Sequence, residues 1–365
     1  MGAFLSSRRT RNREETEQDP SLPYLVSPGA KERGEVQFKS MHPEPVSGLS
    51  VANSSTLISW STNTWIYVYD WTQHSILNEF YMPQKAAVKV VYNPTSQWLL
   101  AGGRCGQICG WKWPMGSTSV VLVPPSITLA KHSLSVTGLA SNKFHSNLLV
   151  SGSRDNSVHI WDVETQKSLR HQEISRNLVT DMKWLGGEEG DSNTSSCVLQ
   201  SSEDKTLRVW DVNTCSVTQQ TPPKKHIQLC CTSDPNGYYL LGGSGGHGQG
   251  EGAELTLWDR RVLSKGPLKE MVGHKGSVNG CLFLDNDSSN DKLVASCSSD
   301  STVKIWSTTT GGSVLSEYIG GGAGPVSGIV SPSPETLAAS TFNEGVYVWK
   351  LVSDSSMELR LRSKY

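Results

Sequence analysis

Residues 151–162 read SGSRDNSVHIWD, and the same phrase returns as SSEDKTLRVWD at 201–211 and SCSSDSTVKIWS at 296–307. Weaker copies are AGGRCGQICGW at 101–111, GAELTLW at 252–258 and TFNEGVYVW at 341–349. A seventh, STNTWIYVYD at 61–70, carries Tyr69 in the tryptophan slot. The anchors Tyr69, Trp111, Trp161, Trp210, Trp258, Trp306 and Trp349 follow one another at steps of 42, 50, 49, 48, 48 and 43 residues. A period of this length signals repeats that bury their apolar faces only against one another. Within a repeat the apolar residues alternate and β-branched residues dominate, which predicts strands. The sixth repeat contains four, SVNGCLFL, KLVASCS, TVKIWS and SVLSEYI. The chain is therefore predicted to be all-β, a single closed unit of seven repeats.

The phrase has a physical logic. Asp155, Asp204 and Asp300 each stand six residues before Trp161, Trp210 and Trp306. An aspartate there holds the turn between second and third strands by accepting backbone N–H bonds. His132 and His274 precede their tryptophans by 29 and 32 residues, and Ser151 and Ser296 lie four before their aspartates. His, Ser, Asp and Trp are thus expected to form one buried hydrogen-bond chain per blade. This Gly-His…Ser…Asp…Trp-Asp pattern resembles the WD40 repeat family, which implies a seven-bladed β-propeller of four-stranded blades. Blades one, two, four and seven lack a clear Gly-His, and blade four has Gln200 in place of the serine. There the polar chain is expected to be incomplete.

Residues 1–34 are polar and proline-punctuated and predict a flexible basic arm, 35–352 the ring, and 353–365 a C-terminal strand or tail. Two segments compete to close the last blade, Glu35–Lys39 and Met357–Arg362. The N-terminal one is favoured, because pairing first and last segments removes a free edge. Residues 186–196 and the glycine-rich 242–252 are expected to be long loops. Over the 365 residues the formal net charge is -1, so no global field attracts nucleic acid. The eight cysteines sit in apolar strand patterns, as small core residues of a reducing compartment, with no zinc-ligand spacing. No apolar run reaches spanning length and no signal segment follows Met1, which predicts a cytoplasmic chain.

The function is expected off the repeat. MGAFLSSRR fits an N-myristoylation pattern, with Gly2 as acceptor and Arg8, Arg9, Arg11 and Arg13 as a basic membrane patch. Trp258-Asp259-Arg260-Arg261 is a W-D-x-R sequence. Among WD40 proteins it implies docking to the adaptor of a cullin ubiquitin ligase through Arg261, although turn chemistry alone also places Asp and Arg there. Gly243-x-Gly245-x-x-Gly248 precedes a strand, not a helix, and is no dinucleotide site. No nucleophile elbow, P-loop or H-E-x-x-H occurs, so neither a catalytic residue nor a metal, a cofactor or a small-molecule substrate is expected. Protein partners are expected on the rim that carries the Asp turns, at Arg104, Arg154, Arg176, Asn177, Glu203, Lys205, Lys224, Lys225 and His226. A basic rim suits an acidic peptide, and an ordinary solvated surface fits the same residues equally well. The order of phrases from 153 to 259 is similar to that of a cilium-associated member of the family, which implies a setting at the cilium or its base.

Overall fold

The computed structural model describes residues 41–365, apart from 116–118, 143, 186–195, 246–250, 285–290, 320–321 and 354–356. Seven antiparallel sheets form the ring, each meandering outward from an inner strand. Blade one is β1 (Val46–Val51), β2 (Thr56–Ser61), β3 (Trp65–Asp70) and β4 (Ser75–Tyr81). Blade two begins with β5 (Ala87–Asn93), β6 (Trp98–Gly103) and β7 (Gln107–Lys112). The chain then lends β8 (Ser119–Val123) to blade one, parallel to β4, and returns with β9 (Ile127–Ala130) as the outer strand of blade two. Blade three is β10 (Val136–Ser141), β11 (Leu148–Ser153), β12 (Ser157–Asp162) and β13 (Lys167–Glu173). Blade four is β14 (Val179–Trp184), β15 (Cys197–Ser202), β16 (Leu207–Asp211) and β17 (Ser216–Gln220). Blade five is β18 (Ile227–Ser233), β19 (Tyr239–Gly245), β20 (Glu254–Asp259) and, after a 3-10 helix at Arg260–Lys265, β21 (Lys269–Val272). Blade six is β22 (Val278–Leu284), β23 (Leu293–Ser298), β24 (Thr302–Ser307) and β25 (Ser313–Tyr318). Blade seven is β26 (Val326–Ser333), β27 (Thr336–Thr341), β28 (Gly345–Ser353) and β29 (Met357–Lys364). The upper face carries the turns between second and third strands; the third strands end on the lower face.

The core is a set of seams between blades. Trp161 packs with Trp98, Leu100 and Ile108 of blade two, and Trp210 with Val150, Val158 and Ile160 of blade three. Trp306 packs with Leu241, Leu255 and Leu257 of blade five. Each anchor thus covers the preceding blade, which is why its side chain must be large and why it recurs once per repeat. Every inner strand also carries a bulge at one position, skipping Ser47, Val88, Thr137, Thr180, Leu229, Asn279 or Ser327 in the pairing. Four of these side chains latch the next blade. Thr137 donates to the Val179 carbonyl, Thr180 to Gln228, Asn279 to Val326 and Ser327 to Val46, at 2.5 to 2.7 Å.

Closure differs from expectation. β29, not Glu35–Lys39, pairs with β28 and takes the outer position of blade seven, so that blade runs to the end of the chain. Residues 35–39 lie outside the described residues. Blade one carries only a tyrosine anchor, and the last residue makes up the difference: Tyr365 is 2% exposed and stacks on Tyr69 with ring centroids 3.9 Å apart. Ser363 Oγ approaches His74 Nδ1 of blade one at 3.3 Å across the same seam. The glycine-rich stretch is also not all loop. Gly242, Gly243 and Gly245 lie in β19, where a side chain on Gly243 would meet Cys230 Sγ at 2.5 Å. The insertion at 186–195 lies outside the described residues.

Tyr365→Ala is expected to cost about 3–5 kcal/mol by opening this seam. Leu361→Ala, on the exposed side of β29, should cost less than about 1 kcal/mol. Urea denaturation of the two variants makes the comparison, and equal effects would remove Tyr365 from the closure.

Candidate functional site

Blades three and six contain the whole polar chain. In blade three Trp161 Nε1 donates to Ser151 Oγ at 2.8 Å, and Ser151 Oγ lies 2.8 Å from His132 Nε2. His132 Nδ1 lies 3.1 Å from Asp155 Oδ2. The indole only donates, so the serine accepts from it and passes its own proton toward Nε2, leaving Nδ1–H for the carboxylate. The aspartate further accepts from the Ser133 amide at 2.8 Å and from Ser157 Oγ at 2.6 Å. Blade six repeats the set with Trp306, Ser296, His274 and Asp300 at 2.8, 2.7 and 3.2 Å. Burial alone would raise the Asp155 and Asp300 carboxyls. Hydrogen bonds from His132 or His274 and from Ser157 or Thr302 outweigh it and hold both well below the usual range. The order Ser-His-Asp is that of a hydrolytic triad, but Ser151 and Ser296 are 0% exposed and both already serve a tryptophan. These groups fix blade edges to blade faces.

Blade four rebuilds the chain from other residues, where incompleteness was expected. Asn177 takes the histidine place, and Gln200 bridges it to Trp210, whose Nε1 donates to Gln200 Oε1 at 2.6 Å. Arg208 donates to Asn177 Oδ1 at 2.8 Å and closes the circuit on the Asp204 carboxylate. Asn177 and Gln200 are both fully buried, so Asn177 belongs to this network and not to the rim. Blade one has half a chain, with His42 Nε2 2.8 Å from Ser59 Oγ. In blade five Gly242 stands at the serine's register position. The Trp258 Nε1 group has no partner among the described residues.

The rim candidates separate. Arg104, Arg154 and Glu203 come together on the upper face, where they line a cavity of about 470 Å³ at the mouth of the central channel with Thr62, Phe342 and the bulged Thr137, Thr180 and Leu229. They share one register position, the residue that follows the second strand of blades two, three and four. Arg154 pairs with Glu203 at 2.7 Å, and among the described residues Arg104 makes no ion pair. Phe342 supplies an exposed aromatic edge. Arg176 and Lys205 are exposed in turns with positive φ. Lys224 is instead engaged with Glu254 and Glu270, Lys225 with Glu251, and His226 sits against Gly252. Arg261 lies on the lower face at the start of the 3-10 helix. It is exposed, gripped by Asp259 at 2.8 and 2.7 Å, and lies over Tyr238. Gly2, Arg8, Arg9, Arg11 and Arg13 lie outside the described residues. No described helix is long and apolar enough to cross a membrane, and no three described His, Cys, Asp or Glu side chains are placed to hold a metal.

Sequence reasoning named Gln200 only as a departure from serine and passed over Arg208, although the two stand opposite each other in register. The signal was available: an arginine at the buried alternating position of a strand calls for a polar partner across the sheet. The seven bulges left no trace in the sequence.

A ring of seven blades with internally consumed polar groups and an open mouth defines the fold class, a seven-bladed β-propeller. The model for the WD domain, G-beta repeat (WD40), matches residues 124–162 and 265–307, which hold blade three's first three strands and those of blade six. Over those residues the chain is similar to WD40 repeats. It is 27% identical to periodic tryptophan protein 2 of Arabidopsis thaliana over 59% of this chain and 21% of that protein. It is 29% identical to the E3 ubiquitin-protein ligase COP1 of Pisum sativum over 46% and 22%, and 34% identical to histone acetyltransferase type B subunit 2 of Eremothecium gossypii over 41% and 33%. The matches thus span a third or less of these relatives' own length.

Gln200→Ser, which introduces the residue that blades three and six carry at this place, is expected to destabilise the ring by about 2 kcal/mol or more, because serine is too short to serve both Asn177 and Trp210. A variant as stable as the parent in urea would refute the network. Acid should act in two stages. Burial depresses His42 and His159 to about 4, and a depressed histidine favours the native state only while it is neutral. Its contribution is full above about pH 6.5 and falls as pH drops toward 4, by about 2 kcal/mol for His42 between pH 7 and 5. The depressed Asp155 and Asp300 add their own loss only below about pH 4. Urea midpoints at pH 7 and 5 for the parent and His42→Gln test the first stage, which should be smaller in the variant.

Proposed function

We propose that the channel mouth on the upper face receives an acidic segment of a partner protein. The observation that carries this is the convergence of Arg104 and Arg154, from adjacent blades, on one solvent-filled cavity beside the exposed ring of Phe342. An exposed Arg–Glu pair is worth at most about 1 kcal/mol, so a partner carboxylate displaces Glu203 from Arg154 at little cost. Arg104 offers a fork that no described carboxylate occupies. Two finer parts rest on sequence alone. Acylation of Gly2 with the arginines behind it would tether the scaffold to a membrane. The resemblance of 153–259 to WD repeat-containing protein 31 supports a setting at the cilium. A second reading, substrate receptor of a cullin ubiquitin ligase, is favoured by Arg261, exposed on the lower face, and by the similarity to a ubiquitin ligase.

The double charge reversal Arg104→Glu and Arg154→Glu should abolish capture of at least one partner while changing the melting temperature by about 1 °C or less. Retention of every partner would sink the mouth as a binding site. In the same capture, Gly2→Ala should release only membrane-proximal partners, and Arg261→Ala should lose a ligase adaptor only if the second reading holds. Mass spectrometry of the native N-terminus reads the acylation directly.

A further inference from the structure

Below the bulges the axis of the ring holds charges that packing does not require. Lys89 of β5 in blade two donates to Asp181 Oδ1 of β14 in blade four at 2.6 Å. The pair skips a blade, and at the same register position blade three has Gly138, with no side chain in the way. Two residues further down β14, on the same side of the strand as Asp181, stands the exposed Lys183. The groups that act on it electrostatically are Lys89 of blade two, Asp181, Cys231 of blade five and Cys281 of blade six, which only the axis brings together. The ammonium of Lys89 is the largest influence and pulls Lys183 below the ordinary lysine range. Asp181 is already bonded to Lys89, and among the described residues Lys183 has no ion pair. Lys89, Lys183 and Asp181 therefore leave one net positive charge in a lumen narrowed by the converging inner strands, where field lines are focused.

We propose that the lumen is an oxyanion site: Lys183, backed by Lys89, takes a phosphate or carboxylate group that enters along the axis from the lower face. The anion supplies the missing counter-charge and relieves the repulsion between the two ammonium groups. This site does not depend on the upper mouth, which lies on the other side of the Lys89–Asp181 strut.

The test is thermal unfolding of the full chain at constant ionic strength, titrated with inorganic phosphate and, in a second arm, with acetate as the carboxylate probe. Titrant concentrations stay in the low millimolar range, below those at which phosphate stabilises proteins by exclusion. A saturable rise of about 2–4 °C is expected, and the arm that saturates names the group. Lys183→Met should melt higher than the parent without anion, because a repulsion is gone, and should lose the response. Lys183→Arg should keep it, and so should the Arg104→Glu, Arg154→Glu double variant. No saturable response in either arm, an equal response in Lys183→Met, or a Lys183→Met protein less stable than the parent overturns the proposal.

Discussion

The ring depends on one contact made seven times, the large side chain at the end of each third strand laid across the blade before it. Trp111, Trp161, Trp210, Trp258 and Trp306 are each 1–2% exposed, and each joins the apolar cluster of its predecessor. Burying an indole removes most of its 150–250 Å² from water, but it also buries an N–H that costs stability unless it finds an acceptor. The hydrogen-bond chain beneath the tryptophan answers that demand. In blades three and six it runs from indole to serine to histidine to aspartate, and the aspartate also fixes the turn above. One network thereby sets the rotamer of the anchor, the height of the connecting segment and the shape of the upper turn.

The other blades show what that constraint leaves open. Blade four meets it with Asn177, Gln200 and Arg208, a longer circuit in which an amide bridges what a hydroxyl bridges elsewhere. Trp111 escapes it by donating to the backbone of Val123 at 3.0 Å, and the detour through β8 brings that carbonyl within reach. Blade one discards the indole and spends the room on Tyr365. A seam can thus be closed by several chemistries once its volume is filled, and blade five closes one although the Trp258 Nε1 donor has no partner among the described residues.

This explains how much was legible in the sequence. The anchors, the strand alternation and the Asp turns are local patterns, so the number of blades and their order could be read from residues a few positions apart. The rebuilding of blade four, the closure by β29 and the fate of Gly243 depend on neighbours some 20 to 300 residues away, as with Ser363 and His74. Of the nine rim candidates, the structure brings Arg104, Arg154 and Glu203 together because they hold one position in a regular turn. Sequence spacing misplaced Asn177 because the residue that replaces a histidine looks, in sequence, like any polar residue before a strand.

The lumen differs in kind from the seams. At the post-bulge position of the inner strands four blades have glycine, at Gly48, Gly138, Gly280 and Gly328; a side chain would collide with Trp60 or Met182 at the first two and press tightly on Cys297 or Ser340 at the others. Packing therefore favours the smallest residue at the axis. Lys89 and Asp181 depart from that rule, and a charge pair drawn out of water gains little or nothing over apolar residues of the same size. Lys183 adds a second ammonium with no second carboxylate. Stability of the ring explains the tryptophans, the networks and the glycines; it does not explain a net charge on the axis. A charge that the fold would be better off without is accounted for by something that comes to meet it.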